Sequence, residues 1–230
     1  MSKIFAVLIR HADYQQLPNT PSAHQPFGLS DKGFTQAYKS VSHIEHFCQQ
    51  QHCQIDSVIL SSKLLRAWQT AMAISSSLND AKLTVKEHAN LAERCVGSVA
   101  NLSTQQIIEV VKQDPRYDDL PVGWMSNSHF CLPFQGAESL MDAGKRVASL
   151  LTMEMRSLRR QRADQLKIFV GHGAAFRHAA YYLGILNYEE ITDLSMYHCG
   201  PIFIELQNDD RWQHISGEWK QRDSHSRFAD

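Results

Sequence analysis

Apolar residues follow two rhythms along the chain. Residues 3–9 (KIFAVLI), 57–60 (SVIL) and 166–170 (LKIFV) are short, nearly continuous runs rich in branched side chains, the pattern of strands covered on both faces. Between them, apolar positions recur at spacings of three and four. Residues 30–51 carry Phe34, Ala37, Tyr38, Val41, Ile44 and Phe47 behind a Ser30 N-cap; 64–78 and 138–162 follow, the latter with Leu140, Ala143, Val147, Leu150 and Leu151 on one face. Strands alternating with such helices predict an α/β fold, a three-layer sandwich whose mostly parallel central sheet is flanked by helices. Residues 202–206, a turn at Asn208-Asp209-Asp210 and residues 212–215 predict an antiparallel edge hairpin near the C-terminus. From about Gln221 the chain is polar, and its end is expected to fray. Residues 95–135, with Pro115, Pro121, Pro133, Gly123 and one helical pattern at 104–112, are expected to form a lid-like excursion within a single domain covering 1–230.

In open sheets of this kind, ligands sit beyond the carboxyl ends of the strands. Arg10 and His11 close the first run, Ser61 and Ser62 the second, and Gly171-His172-Gly173 the third. Arg66 near a helix start and Glu93 in a loop complete a complementary set. Two guanidiniums can grip a phosphate dianion bidentately, and glycines at a strand-to-helix turn let backbone N–H groups approach it. A histidine beside that anion can attack phosphorus, and Glu93 can protonate the leaving oxygen.

Charge and composition narrow the partners. With 23 Lys+Arg against 24 Asp+Glu and a net charge of -1, no global field recruits nucleic acid or an anionic membrane, so any anion must be held by a local cluster. The apolar stretch at 4–9 is too short for a span and lacks a cleavage pattern, which predicts a cytoplasmic protein. Five scattered cysteines, with no C-x-x-C pair, are expected to be reduced thiols. His43, His46, Cys48, His52 and Cys53 lack a second pair at zinc-finger spacing and are expected to form a solvated helix face. The four tryptophans, Trp68, Trp124, Trp212 and Trp219, are expected to pack. Trp124, with Met125, Phe130 and Phe134, is also a candidate for a substrate mouth.

Five segments, taken together and in order, resemble the histidine phosphatase superfamily, the phosphoglycerate-mutase-like clan (branch 1). LIRHADY (8–14) is similar to its R-H-G strand-loop signature, LSSKLLRAWQTA (60–71) to S-x-L-x-R-A-x-Q-T-A, and LAERCVG (91–97) to L-x-E-x-x-x-G; GAESL (136–140) and VGHGAAFRH (170–178) resemble its G-E-S and S-H-G-x-x-x-R segments. The resemblance covers roughly residues 3–206. It implies His11 as the phosphorylated nucleophile, Arg10 and Arg66 as the phosphate clamp, His172 as a contact to the transferring group, and Glu93 as proton donor and then base. Gly173, Tyr14 and Gln15 are further candidates for binding the phosphate or substrate. No metal or other cofactor is implied, since the arginines neutralise the phosphoryl charge.

Departures from the pattern set the open questions. Ala12 replaces the common Gly, Gly171 the frequent Ser, and Tyr14 a usual Thr. Leu17 stands where many members carry a phosphate-contacting Asn, leaving Gln15, Asn19 and His24 as candidate substitutes. Arg177 and His178 continue a motif, but Arg177 is expected to be structural. The expected activity is hydrolysis of a small phosphorylated metabolite. Two alternatives stand beside it, a phosphoglycerate mutase-type phosphotransferase and a protein-phosphohistidine phosphatase. Glu138 follows Glu93 by only 45 residues without the basic doublet a mutase insertion needs, and the presence of Glu93 argues against the signalling enzyme. A C-terminal edge strand offers a route to a homodimer.

Overall fold

A computed structural model describes residues 2–21, 24–78 and 83–222. The polar tail at 223–230, expected to fray, lies outside the described residues. In chain order the elements are β1 (Ile4–Arg10), α1 (Asp31–Gln51), β2 (Gln54–Ile55), β3 (Val58–Ser62), α2 (Leu65–Ser77) and β4 (Thr84–His88), then α3 (Thr104–Gln113) and α4 (Leu140–Leu158). There follow β5 (Gln165–Gly171), α5 (Gly173–Tyr182), α6 (Tyr188–Asp193), β6 (Leu194–Ser195), β7 (Pro201–Leu206), β8 (Trp212–Ser216) and β9 (Lys220–Gln221).

The main sheet runs β4-β3-β5-β1-β7-β8, with β2 alongside the start of β5, and β6 pairs β9 separately. Strands β1 to β5 are mutually parallel where they pair; β7 and β8 are the antiparallel edge. The continuous apolar run of β1 follows from its place at the centre. Phe5, Val7 and Ile9 pack with Val41, Ile44 and Phe47 of α1 and Ala67, Ala71 and Ile74 of α2. Ile4, Ala6 and Leu8 pack on the opposite face with Ala143, Val147 and Leu151 of α4 and Ala175 and Ala179 of α5. Ile4 through Ile9 are thus buried whichever way they point, which removes the alternation of a half-exposed strand.

Capping fixes the helix starts. Ser30 accepts from the Gly33 N–H, and Ser139 forms a reciprocal box with Asp142, so α4 begins at Leu140 and ends before 162. Two local expectations change. Trp68 is 36% exposed, sharing the outer face of α2 with Leu65 and Met72, whereas Trp212 and Trp219 pack on the core and Trp124 is buried among Val96, Val99, Ile107 and Leu132. His43, His46 and His52 are exposed, but Cys53 is buried and Cys48 half-buried, because the chain turns inward after the left-handed His52 cap. The cysteines among the described residues form no disulfide, and no helix among these residues is long and apolar enough to cross a membrane.

Gly144 lets α4 and α5 approach closely, since a Cβ there would lie 2.4 Å from His178 Cβ. Gly144→Ala is therefore expected to lower stability by about 1–3 kcal/mol through overpacking, read from urea unfolding. An unchanged midpoint would show that the two helices separate without cost.

Candidate active site

The parallel pairing of β1 with β5 sets Arg10 opposite Gly171, and the His11 N–H donates to Gly171 O at 2.9 Å. Two strand ends thereby bring Arg10-His11 and His172-Gly173 side by side. Arg66 enters from the first turn of α2 and is fully buried, with Ala67 and Thr70 beside it. Thr70 Oγ1 also accepts from the Ala12 N–H at 3.0 Å, tying the loop after β1 to the same helix.

Arginine can only donate, and this sets the protons on both neighbouring imidazoles. Arg66 Nε donates to His11 Nε2 at 3.1 Å, so Nε2 carries the lone pair and Nδ1–H donates to Ala12 O at 2.8 Å. Arg66 Nη2 faces His172 Nδ1 at 3.3 Å, leaving His172 Nε2–H to donate to Ser62 Oγ at 2.9 Å. A third bond from Arg66 Nη1 goes to Gln25 O at 3.1 Å. Burial, followed by the charge of Arg66, holds both imidazoles well below their ordinary pKa. His11 is therefore a neutral base with Nε2 unprotonated.

Around this cluster, buried polar atoms lack partners: Arg10 Nε, Tyr14 Oη, His24 Nε2 and His198 Nε2. Arg10 Nη1 is anchored on Met196 O at 2.9 Å, and a Cβ on Gly173 would crowd Arg10 Cδ at 3.1 Å. Tyr14 lies under the Arg66 guanidinium, 4.6 Å from ring centroid to Cζ, and edge-on to His11. His24 lies against the backbone of Glu93, and the His198 ring is 5.4 Å from that of His11. Buried orphaned donors beside guanidiniums are the environment of an anion site.

Glu93 is buried, and its Oε1 accepts from the Arg94 N–H at 2.9 Å and the Ala175 N–H at 3.2 Å. Arg146 of α4 braces the segment, donating to Glu93 O and Asn90 O and pairing with Glu138 at 2.7 Å, while Glu138 accepts from the Cys95 N–H. This gives Glu138, in the middle of the GAESL segment, a positioning task.

The structure thus brings together Arg10, His11, Tyr14, Arg66, Glu93, His172 and Gly173. Gln15 is exposed, with its N–H donating to Gly28 O. Leu17 and Asn19 are exposed as well, so of the candidate substitutes for the missing Asn, His24 is the one beside Glu93 and Arg66. Arg177 is buried in α5 and donates to Leu194 O; His178 contacts Ser128 Oγ at 3.0 Å. Gly171 has no room for the frequent Ser, because a Cβ would meet the Phe176 ring at 2.8 Å. Sequence reasoning missed Ser62, Gln25, Thr70 and His198. The polar residues closing the 57–60 run were a signal for Ser62; a histidine just ahead of an apolar run was the signal for His198. Among the described residues, no group of three or more His, Cys, Asp and Glu side chains is arranged to hold a metal ion.

Residues 6–216 match the model of the histidine phosphatase superfamily (branch 1). No curated protein sequence matches at a significant level. Solved structures with the same fold include a protein described as mycobacterial hydrolase 1, 21% identical with a TM-score of 0.69 over 92% of this chain and 96% of that one. Another is a mycobacterial glucosyl-3-phosphoglycerate phosphatase, 20% identical with a TM-score of 0.67 over 96% of this chain and 99% of that one. A third is the Entamoeba histolytica phosphoserine phosphatase in complex with 3-phosphoglyceric acid, 16% identical with a TM-score of 0.67 over 96% of this chain and 98% of that one.

The depressed imidazoles give stability a pH dependence. Unfolded, each takes up a proton near pH 6.5; folded, His11 and His172 stay neutral, so the unfolded chain binds more protons as pH falls through that value. Folding free energy is therefore expected to fall between about pH 7.5 and about pH 5.5 as the unfolded imidazoles take up protons. Urea unfolding at the two pH values checks this, and equal stabilities would contradict the buried neutral state.

Proposed function

The chain belongs to the histidine phosphatase superfamily (branch 1), and on that premise we propose that it hydrolyses a small phosphorylated metabolite through a phosphohistidine at His11, without a metal ion. The observation that carries this reading is the proton placement around Arg66: His11 presents an unprotonated Nε2 inside a cluster of guanidinium and imidazole donors.

In the resting site, Arg66 Nε occupies the His11 lone pair. A substrate phosphoryl group offers better acceptors, so Arg66 transfers its bond to a nonbridging oxygen and Nε2 is released toward phosphorus. Arg10 and Arg66 neutralise the charge on the equatorial oxygens, the role metal ions play in many other phosphoryl-transfer enzymes, and neutral His172 joins them by turning its Nε2–H from Ser62 Oγ to the phosphoryl group. The N–P bond forms as the P–O bond to the leaving group breaks. Glu93, steadied at Oε1 by two backbone N–H groups, delivers a proton to that leaving oxygen from Oε2. Water then enters in line; Glu93 takes its proton, the N–P bond breaks, and phosphate and neutral His11 are regenerated.

Residues 95–135 act in this reading as the lid-like excursion of a single domain and shape specificity. In support, Trp124 and Leu132 share a small apolar cluster with Val96, Val99 and Ile107, and Arg94 Nη1 ties the segment back at Met125 O. The named activities of the similar structures, on glucosyl-3-phosphoglycerate and phosphoserine, support a small phosphorylated substrate.

His11→Ala is expected to reduce hydrolysis of p-nitrophenyl phosphate on the order of a thousandfold or more, and retained turnover would contradict the nucleophile assignment. Glu93→Gln is expected to cost about 10²–10⁴-fold with an alkyl phosphate and far less with p-nitrophenyl phosphate, whose leaving group needs little protonation. Equal losses with both would remove Glu93 from the acid role.

A further inference from the structure

We propose that His198 is an additional phosphate ligand of this site, its Nε2–H donating to a phosphoryl oxygen shared with the Nε–H of Arg10. The inference rests on the phosphatase reading above.

His198 reaches the site through topology. Strand β7 pairs antiparallel with β1, Ile9 opposite Pro201, so the residues just before β7 return to the end of β1 that carries Arg10 and His11. Two bonds strap this loop to Arg10: the Cys199 N–H donates to Arg10 O at 3.0 Å, and Arg10 Nη1 donates to Met196 O at 2.9 Å. The His198 ring lies 5.4 Å from the His11 ring, tilted by 37°.

The ring borders a cavity of about 630 Å³ between α1 and the β7 edge, with Lys39, His43, Phe47 and Phe203 in its walls, and is partly exposed there. Nε2 is buried and has no partner. A buried polar nitrogen without a partner costs free energy unless something supplies one when the site is in use. Arg10 Nε–H is also without a partner and makes no bond to it, so in the tautomer with the proton on Nε2 both atoms are donors lacking an acceptor. A third group is required, and it must be an acceptor that both donors can share, which describes an anionic oxygen.

The charges facing His198 keep the imidazole a neutral donor. Arg10, Lys32 and Lys220 lie on one side of the balance and Asp13 on the other, and Asp13 is engaged by Ser30 Oγ at 2.6 Å and by Lys32 at 3.8 Å. Burial, with Arg10 next, brings the His198 pKa to about 3. A neutral Nε2–H contributes a hydrogen bond to phosphate without adding a further charge to a pocket already holding two arginines.

Two variants and two probes test this. His198→Phe keeps a ring but no donor; His198→Gln places an amide N–H near the position of Nε2. Inorganic phosphate binding by calorimetry and orthovanadate inhibition of p-nitrophenyl phosphate hydrolysis are expected to weaken about tenfold or more in the Phe variant and to return to within about threefold of wild type in the Gln variant. Wild-type affinity in the Phe variant, equal weakening in both variants, or no phosphate binding by the wild-type protein would overturn the proposal. Imidazole nitrogen NMR on the unmutated protein gives a reading that needs no variant. Adding phosphate is expected to shift the His198 Nε2 signal and protect its proton from exchange, and an unchanged signal overturns the assignment. Normal turnover with an unaffected His198→Phe would sink this inference alone. His198-dependent phosphate binding without turnover would instead sink the hydrolase reading and leave the ligand standing.

Discussion

A guanidinium can donate hydrogen bonds but never accept them, and the rest of the site is arranged around that asymmetry at Arg66. Buried completely in the first turn of α2, it meets His11 Nε2, His172 Nδ1 and Gln25 O. Each contact fixes a tautomer or an orientation: Nε2 of His11 becomes the nitrogen with the lone pair, and Nε2 of His172 becomes a donor held by Ser62. Burying a cation among neutral imidazoles is costly, and the site offsets that cost only when an anion arrives. In the proposed reaction, affinity for phosphate and readiness of the nucleophile therefore have one origin.

The fold supplies the scaffold for this geometry. Parallel neighbours β1 and β5 end together, which places two histidine-bearing turns within hydrogen-bond reach of one arginine. Strand β3 ends at Ser62, and the antiparallel return of β7 closes the remaining side with His198. Glu93 comes from outside the sheet, and Arg146 with Glu138 of the α4 approach holds its backbone while Ala175 of α5 steadies its carboxylate. The close passage of α4 over α5 at Gly144, against His178 and Ala179, seats the helix that carries Arg146 on the helix that begins behind His172.

Much of this was readable from the chain because it depends on local pattern. The buried strands show as continuous apolar runs, and Ser30 and Ser139 mark helix starts by their own side-chain bonds. The central site residues sit at strand ends or in motif order, so Arg10, His11, Arg66, Glu93 and His172 could be named in advance. What was missed depends on long-range pairing. β4 reads TVKEH, with no residue fully buried, and has strand form because it pairs with β3 at the sheet edge. Cys53 turns inward because of a left-handed cap one residue earlier, which composition does not signal. His198 and Gln25 belong to irregular loops whose only link to His11 is tertiary. Gln15 was a candidate substitute for the Asn missing at Leu17, but it is exposed while Tyr14 is buried, because alternate residues of an extended loop face opposite ways.

The most direct test of the central claim is to trap the covalent intermediate. Rapid acid-free quenching of the protein during turnover of a good substrate, followed by peptide mass spectrometry, is expected to show a phosphate-sized mass increase on the peptide containing His11. The modification should be labile in acid, stable in base and absent from His11→Ala. Steady turnover with no phosphorylated His11 peptide, or with phosphate on another residue, would contradict the account.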